Sequence, residues 1–275
     1  MPKTKIICVV VLGLLFVLIH SDLHAAIAEL PAMQDTTLYE DGAGRLSNGS
    51  GQYLFIGKTW DQNGIDDLLR RAMFKFDLGN IPAGSTITAA SFSFTIDKVP
   101  PGATGAIIKL YSLTASWGEG SSNAPGAEGR GALAKENDAT WLHRFFDRET
   151  WVNQGGDFDT EPLLSTSISS SPQPVVFESS QELVAKVQAW LDSPETNRGW
   201  ILLGDEIFTR NARRILSREH SGPGNPLLRV EYALPPAVSV PTITLVGLLV
   251  LIIMTLCVGR RRLSVNRRTV NNFNN

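Results

Sequence analysis

The residues with most chemistry in them are aromatic and basic. Trp117, Trp141 and Trp151, with Phe145, Phe146 and Phe158, fall in a stretch of about 60 residues after Leu113, far longer than an ordinary loop. Flat rings suit sugars, because the C–H faces of a pyranose lie on an electron-rich ring while its hydroxyls stay wet. Trp151, beside a Gly-Gly turn, is the first choice for an exposed platform. Arg144 and Arg148 stand ready to bond hydroxyls. The competing use is a small local core, which so long a loop needs, and Trp117 and Trp141 fit that use best. A second group, Arg210, Arg213, Arg214 and Arg218, crowds into nine residues. A guanidinium fork matches a uronate or sulfate, and Arg214 is the candidate. Pairing with Asp205, Glu206 and Glu219 is the plainer account.

Other chemistry is thinner. Asp61, Asn63, Asp66 and Asp67 set oxygens around Gly64, as calcium would require, but the spacing is not that of an EF-hand. A polar hairpin tip turning on Asn63-Gly64 explains them by itself and is the preferred reading. No other cofactor is expected. His143 and His220 lack HExxH spacing or a Gly-x-Ser-x-Gly elbow, and Asp157 and Asp159 read as turn formers before glycosidase carboxylates. An enzyme is not expected.

These groups need a scaffold, and periodicity names it. Ala72, Phe74, Phe76 and Leu78 alternate with polar neighbours; so do Ala90, Phe92, Phe94 and Ile96, and Leu228, Val230 and Tyr232. Period two with one apolar face is a half-buried strand. Shorter strands are expected at Thr36–Tyr39, Tyr53–Ile56, Ile107–Leu113, Val175–Phe177, Trp200–Leu203 and Arg213–Ser217. One helix is expected, at about 179–192: Ser179 and Glu182 form a capping box, Leu183, Val187, Trp190 and Leu191 share a face, and Pro194 stops it. The fold class is therefore all-β, a two-sheet β-sandwich of jelly-roll type with one short helix.

Charge and ends bound the rest. The chain has 275 residues, 25 Lys+Arg and 27 Asp+Glu; residues 27–240 hold 18 of those bases and 26 of the acids, a net of −8. That argues against nucleic acid as a partner. Both cysteines, Cys8 and Cys257, lie in the apolar ends, which excludes a disulfide framework and a thiolate site in the body. Lys3, Lys5, an apolar run from Ile6 to Ile19 and small residues around Ala26 read as a secretory signal over 1–26. A β-domain over 27–233 follows, then a Pro-rich stalk at 234–241. An apolar helix at 242–258 is long enough to span a bilayer, and a basic tail at 259–275 is expected to stay cytoplasmic. The expected location is the cell surface or beyond it.

Two resemblances add to this. Val240, Pro241, Thr242 and Ile243 before the apolar helix, with Arg260, Arg261 and Arg262 after it, resemble bacterial sorting tails of the PEP-CTERM and IPTL-CTERM type. Val246-Gly247 replaces the usual Trp-Gly, and the chain runs on to Asn275. The resemblance implies a membrane sorting protease as partner; a plain single-pass anchor needs the same physics. The body resembles the DNRLRE-domain proteins, also called disaggregatase-related, and with them a family of carbohydrate-binding modules. The residues that carry this include Arg70–Leu78, Ile81–Ala90, Trp117–Gly120, Asp138–Arg144, Val187–Leu191, Gly199–Glu206 and Ser217–Glu219. It implies an extracellular β-sandwich and, in some members, polysaccharide binding. The expected function is thus non-catalytic binding of extracellular polysaccharide, uronate-rich polymers included. A purely structural envelope or biofilm-matrix protein is the first alternative, and a polysaccharide lyase or hydrolase the second.

Overall fold

The computed structural model describes residues 25–60 and 68–235. The signal segment except Ala25 and Ala26, which open the first strand, the Asp61–Asp67 loop, most of the stalk, the apolar C-terminal segment and the basic tail therefore lie outside the described residues. So do the sorting-motif positions Val240, Pro241, Thr242, Ile243, Arg260, Arg261 and Arg262. No described helix is long and apolar enough to cross a membrane.

The described chain is mostly β. Its long strands are β1 (Ala25–Tyr39), β3 (Tyr53–Lys58), β4 (Leu69–Phe76), β5 (Thr86–Lys98), β6 (Ala106–Ser112), β10 (Leu164–Ile168), β11 (Gln173–Phe177), β12 (Trp200–Leu203), β13 (Arg213–Leu216) and β14 (Leu227–Ala233). Four short ones, β2 (Leu46–Ser47), β7 (Ala132–Leu133), β8 (His143–Phe145) and β9 (Glu149–Thr150), staple the loops. The alternating runs fold as their period requires. Phe74 and Phe76 of β4 meet Phe92 of β5 at ring distances of 5.2 and 5.5 Å across the core.

Pairing departs from two separate sheets. The ladders run β1-β14-β5-β13-β3-β4 and back to β1, a closed circuit of six strands, with β12, β6 and β10 extending from β4 and β11 flanking β5. Several strands change partners part-way, β1 and β3 among them. Residues Ala25–Pro31 of β1 pair with β14, Ala32–Tyr39 pair with β4, and the register shifts between Ala32 and Gln34. Residues Tyr53–Ile56 of β3 pair with β13, and Gly57 and Lys58 pair with β4. A strand that bends at a bulge can serve two layers, and that removes free edges. Gly57 makes the second bend possible: its φ is +93°, and a Cβ there would sit 2.8 Å from the Asn211 carbonyl oxygen.

The helix α1 spans Gln181–Asp192, starting two residues later than expected and ending where expected, and buries Leu183, Val187, Trp190 and Leu191. Its cap is Ser180, whose side chain accepts from Leu183 N–H. The expected capping box at Ser179 is not formed, because the Ser179 hydroxyl accepts from Ala90 N–H on β5 instead. Trp190 packs on Trp200 with ring centroids 4.8 Å apart.

Candidate functional site

The aromatic insertion is folded as a core and not as a platform. Trp117, Trp141 and Trp151 are all buried, at 4%, 6% and 5% exposure. They form a second core with Leu38, Met73, Tyr111 and Ile201 on the sheet side facing away from the main core. Trp151, expected outside, donates its ring N–H to the Thr140 carbonyl at 2.9 Å, and Trp117 donates to the Arg198 carbonyl at 2.9 Å. Arg71 lies over Trp141 and Phe158 while its guanidinium holds Glu206 at 2.7 and 3.0 Å. The Gly-Gly turn that suggested exposure does the reverse: at Gly155, φ +82°, a Cβ would meet the Trp141 ring at 2.7 Å. None of the three rings offers a sugar a face.

The arginines chosen from sequence are engaged as well. Arg144 pairs with Glu149 and donates to Ser116. Arg148 makes a loose, exposed contact with Glu136 at 3.6 Å. Arg214 holds Asp97 with two bonds, at 3.0 and 2.6 Å, and lies 3.8 Å from the Tyr53 ring centre. Its carboxylate partner is therefore Asp97, on the neighbouring strand β5, rather than Asp205, Glu206 or Glu219. Asp61, Asn63, Asp66 and Asp67 fall outside the described residues, so the calcium expectation stays where the sequence left it. His143 Nδ1 lies 3.1 Å from the Thr140 hydroxyl, and Asp157 accepts from Val152 and Asn153 N–H.

Two features were not foreseen. The first is an acidic group. Asp35 of β1, Glu119 of the insertion and Glu219 after β13 bring carboxylate oxygens within 4.8 Å of one another. A hard cation favours such a set, but Arg218 already bridges two of its members, with Nε 2.7 Å from Glu119 and 2.8 Å from Glu219. Asp35 accepts from Arg218 N–H at 2.7 Å, and Glu119 accepts from Asp35 N–H at 2.8 Å. Burial, then the charge of Glu219, pushes the Asp35 carboxyl well above the usual carboxylate range. Burial raises Glu219 too. Glu119 and Glu219 lie inside motifs that the resemblance singled out, but Asp35 comes from 84 positions before Glu119, and spacing gives no hint of the meeting.

The second feature is a groove at the Lys98 end of β5. One part has a cavity volume of ≈ 470 Å³, lined by Trp60, Arg70, Arg130 and neighbours. The adjoining part, ≈ 220 Å³, is lined by Phe55, Lys98, Arg213 and Arg214, and the two share Thr59 and Gly129. Not one described lining residue is acidic, although the domain as a whole carries net −8. Trp60 is 42% exposed, and no other tryptophan of the six exceeds 6%. Arg210 sits on it, its guanidinium carbon 3.5 Å from the ring centre. Buried Arg213 anchors the floor through the Thr104 and Asn211 carbonyls. A tryptophan just past a strand end and before a polar loop is the sequence signal for this site, a weaker one than the aromatic cluster of the insertion.

Neither protein-family models nor curated proteins give any match to this chain.

Proposed function

We propose that this chain is an exported surface protein that binds acidic polysaccharide, without cutting it, in the groove between Trp60 and Lys98. One observation carries the reading: the only exposed tryptophan borders a groove whose described lining is basic and free of carboxylates, on an otherwise acidic domain. The ring offers a stacking face, and exposed Arg130 and Lys98 offer charge to a uronate or sulfate. Because the whole body is acidic, the attraction is local and short-ranged. The DNRLRE-like motifs support the same function, and the apolar, Arg-flanked C-terminus supports sorting or anchoring at the membrane. In this reading the strand circuit is a jelly-roll-like pair of layers whose corners are β1 and β3.

Position supports display. Ala233, where the chain leaves β14, pairs with Thr86 at the start of β5, and the groove lies beside Lys98 at its end. Thirteen residues of strand separate them by about 40 Å. Affinity electrophoresis of the purified full chain in gels containing pectin, alginate or a neutral cellulose derivative tests the reading. Retardation by the acidic polymers, weakened by salt and by Trp60→Ala, is the expected result; free migration in all three gels overturns it. A second reading, a matrix protein that binds other proteins, draws on Ile207 and Phe208, which are 78% and 67% exposed on the same end. It predicts pull-down of a protein partner that Phe208→Ser abolishes.

A further inference from the structure

Arg210 is placed with care that a solvated surface arginine does not need. Its own backbone is left-handed, φ +62°, a conformation that costs a non-glycine residue energy. The loop before it is folded by Asp205, which accepts from Ile207 and Phe208 N–H at 2.9 and 3.1 Å and from the Asn211 side chain at 2.6 Å. Asn211 N–H then donates to the Lys58 carbonyl at 3.1 Å, which fixes the loop end alongside β3 and brings Arg210 over Trp60. Among the described residues no carboxylate pairs with the Arg210 side chain. Its cation is spent on the ring face.

A tryptophan ring face is also what a sugar would use. An exposed cation–π stack is weak, so a pyranose can displace it. The released guanidinium then stands beside the incoming ring with a donor fork that fits a carboxylate. We propose that Arg210 is the specificity-determining residue of the groove: it caps Trp60 when the groove is empty, yields the ring to a sugar, and repays only sugars that carry an acid group. A neutral sugar must uncover Trp60 and gains no ion pair in return. This rests on the reading of the groove as a glycan site and adds to it a reason for selectivity.

Because the other five tryptophans are buried, collisional quenching by acrylamide reports on Trp60, and Trp60→Phe identifies that component. In the full-length protein, Arg210→Ala is expected to raise the quenchable component with no ligand present. Titration with a galacturonate hexamer and a glucose hexamer reads selectivity. Arg210→Ala should weaken the acidic hexamer about tenfold, the size of one lost charged hydrogen-bond set, while the neutral hexamer binds as well or better. Arg210→Lys should keep part of the acidic preference. Unchanged quenching in Arg210→Ala, or equal weakening of both hexamers, overturns the role of Arg210 and leaves the glycan reading standing. If the wild-type protein binds neither hexamer, the glycan reading falls and the selectivity falls with it.

Discussion

The strand body and the insertion between Leu113 and Leu163 both bury aromatic rings, but they satisfy their backbones differently, the one with regular ladders and the other with irregular bonds and buried acids. In the body, partner strands take the N–H groups: Val230, for one, pairs with Ala28 on one side and Ala90 on the other. The insertion has few ladders; irregular backbone bonds, such as Ala139 N–H to the Gly118 carbonyl and Trp151 N–H to the Leu142 carbonyl, hold it, and buried carboxylates add to them and tie it to the body. Asp138 accepts from Ser121, Ser122 and Lys135 N–H, at 2.8, 3.2 and 2.6 Å. Glu128 reaches back to Gln52 and Tyr53 N–H and to the Asn48 side chain. Glu119 and Asp157 each take backbone donors in the same manner. A charged acceptor is worth roughly 1.5–3 kcal/mol per bond, about twice a neutral one, so each buried acid is a strong local tie.

That contrast can be broken by substitution, with the largest effect expected in the body. Phe92→Ala removes a ring in contact with Phe74, Phe76, Phe177 and Trp200. It should cost about 3–5 kcal/mol and unfold the whole domain earlier in urea, since the cavity lies at the centre of the main core. A loss confined to the insertion would show that the two cores are not arranged as described. Asp138→Ala should cost less, about 1–3 kcal/mol, and act locally. Hydrogen exchange should quicken at Ser121, Ser122 and Lys135 while β5 and β14 stay protected; uniform quickening would mean that the insertion has no stability of its own.

The acidic group sharpens the comparison through pH. The folded-state pKa of Asp35 is raised above its unfolded value, so the folded state holds the proton more tightly. Its contribution is fully present below the unfolded pKa, near 4, and is lost as pH rises through the folded pKa. Glu219 shifts in the same direction. Asp35→Asn should therefore raise the urea midpoint at neutral pH and flatten its dependence on pH above about 4. A variant with the wild-type slope would remove Asp35 from this account. The smallest effect belongs to Arg148→Ala, whose ion pair is exposed on both sides. It should change stability by less than about 0.5 kcal/mol, and glycan retardation not at all.

The strand periodicity of β4, β5 and β14 was legible because one face of each meets a core and the other meets solvent or loop. Met73 and Ile201 show the limit: they lie on the outer face yet are fully buried, since the insertion covers them. The first half of β1 was not legible. Ala25–Pro31 has little β-branching and runs on from a signal-like segment, so only its pairing with β14 reveals a strand. Trp151 was misplaced because aromatic residues in a long loop serve a ligand or a local core with the same composition. The Trp60 groove draws on residues from Leu46 to Arg214, and sequence spacing does not carry a meeting over that range.

The attachment of β14 has a mechanical consequence. Each residue from Leu227 to Ala233 is paired with β1 on one flank and β5 on the other, its backbone groups alternating between the two. If, as proposed, the C-terminus is tethered and a polymer is held at the far end, tension directed along β14 would load these rungs in parallel, sliding the strand lengthwise against both flanks. Such a joint must lose many rungs together before it gives way, whereas a peeled hairpin loses them one at a time.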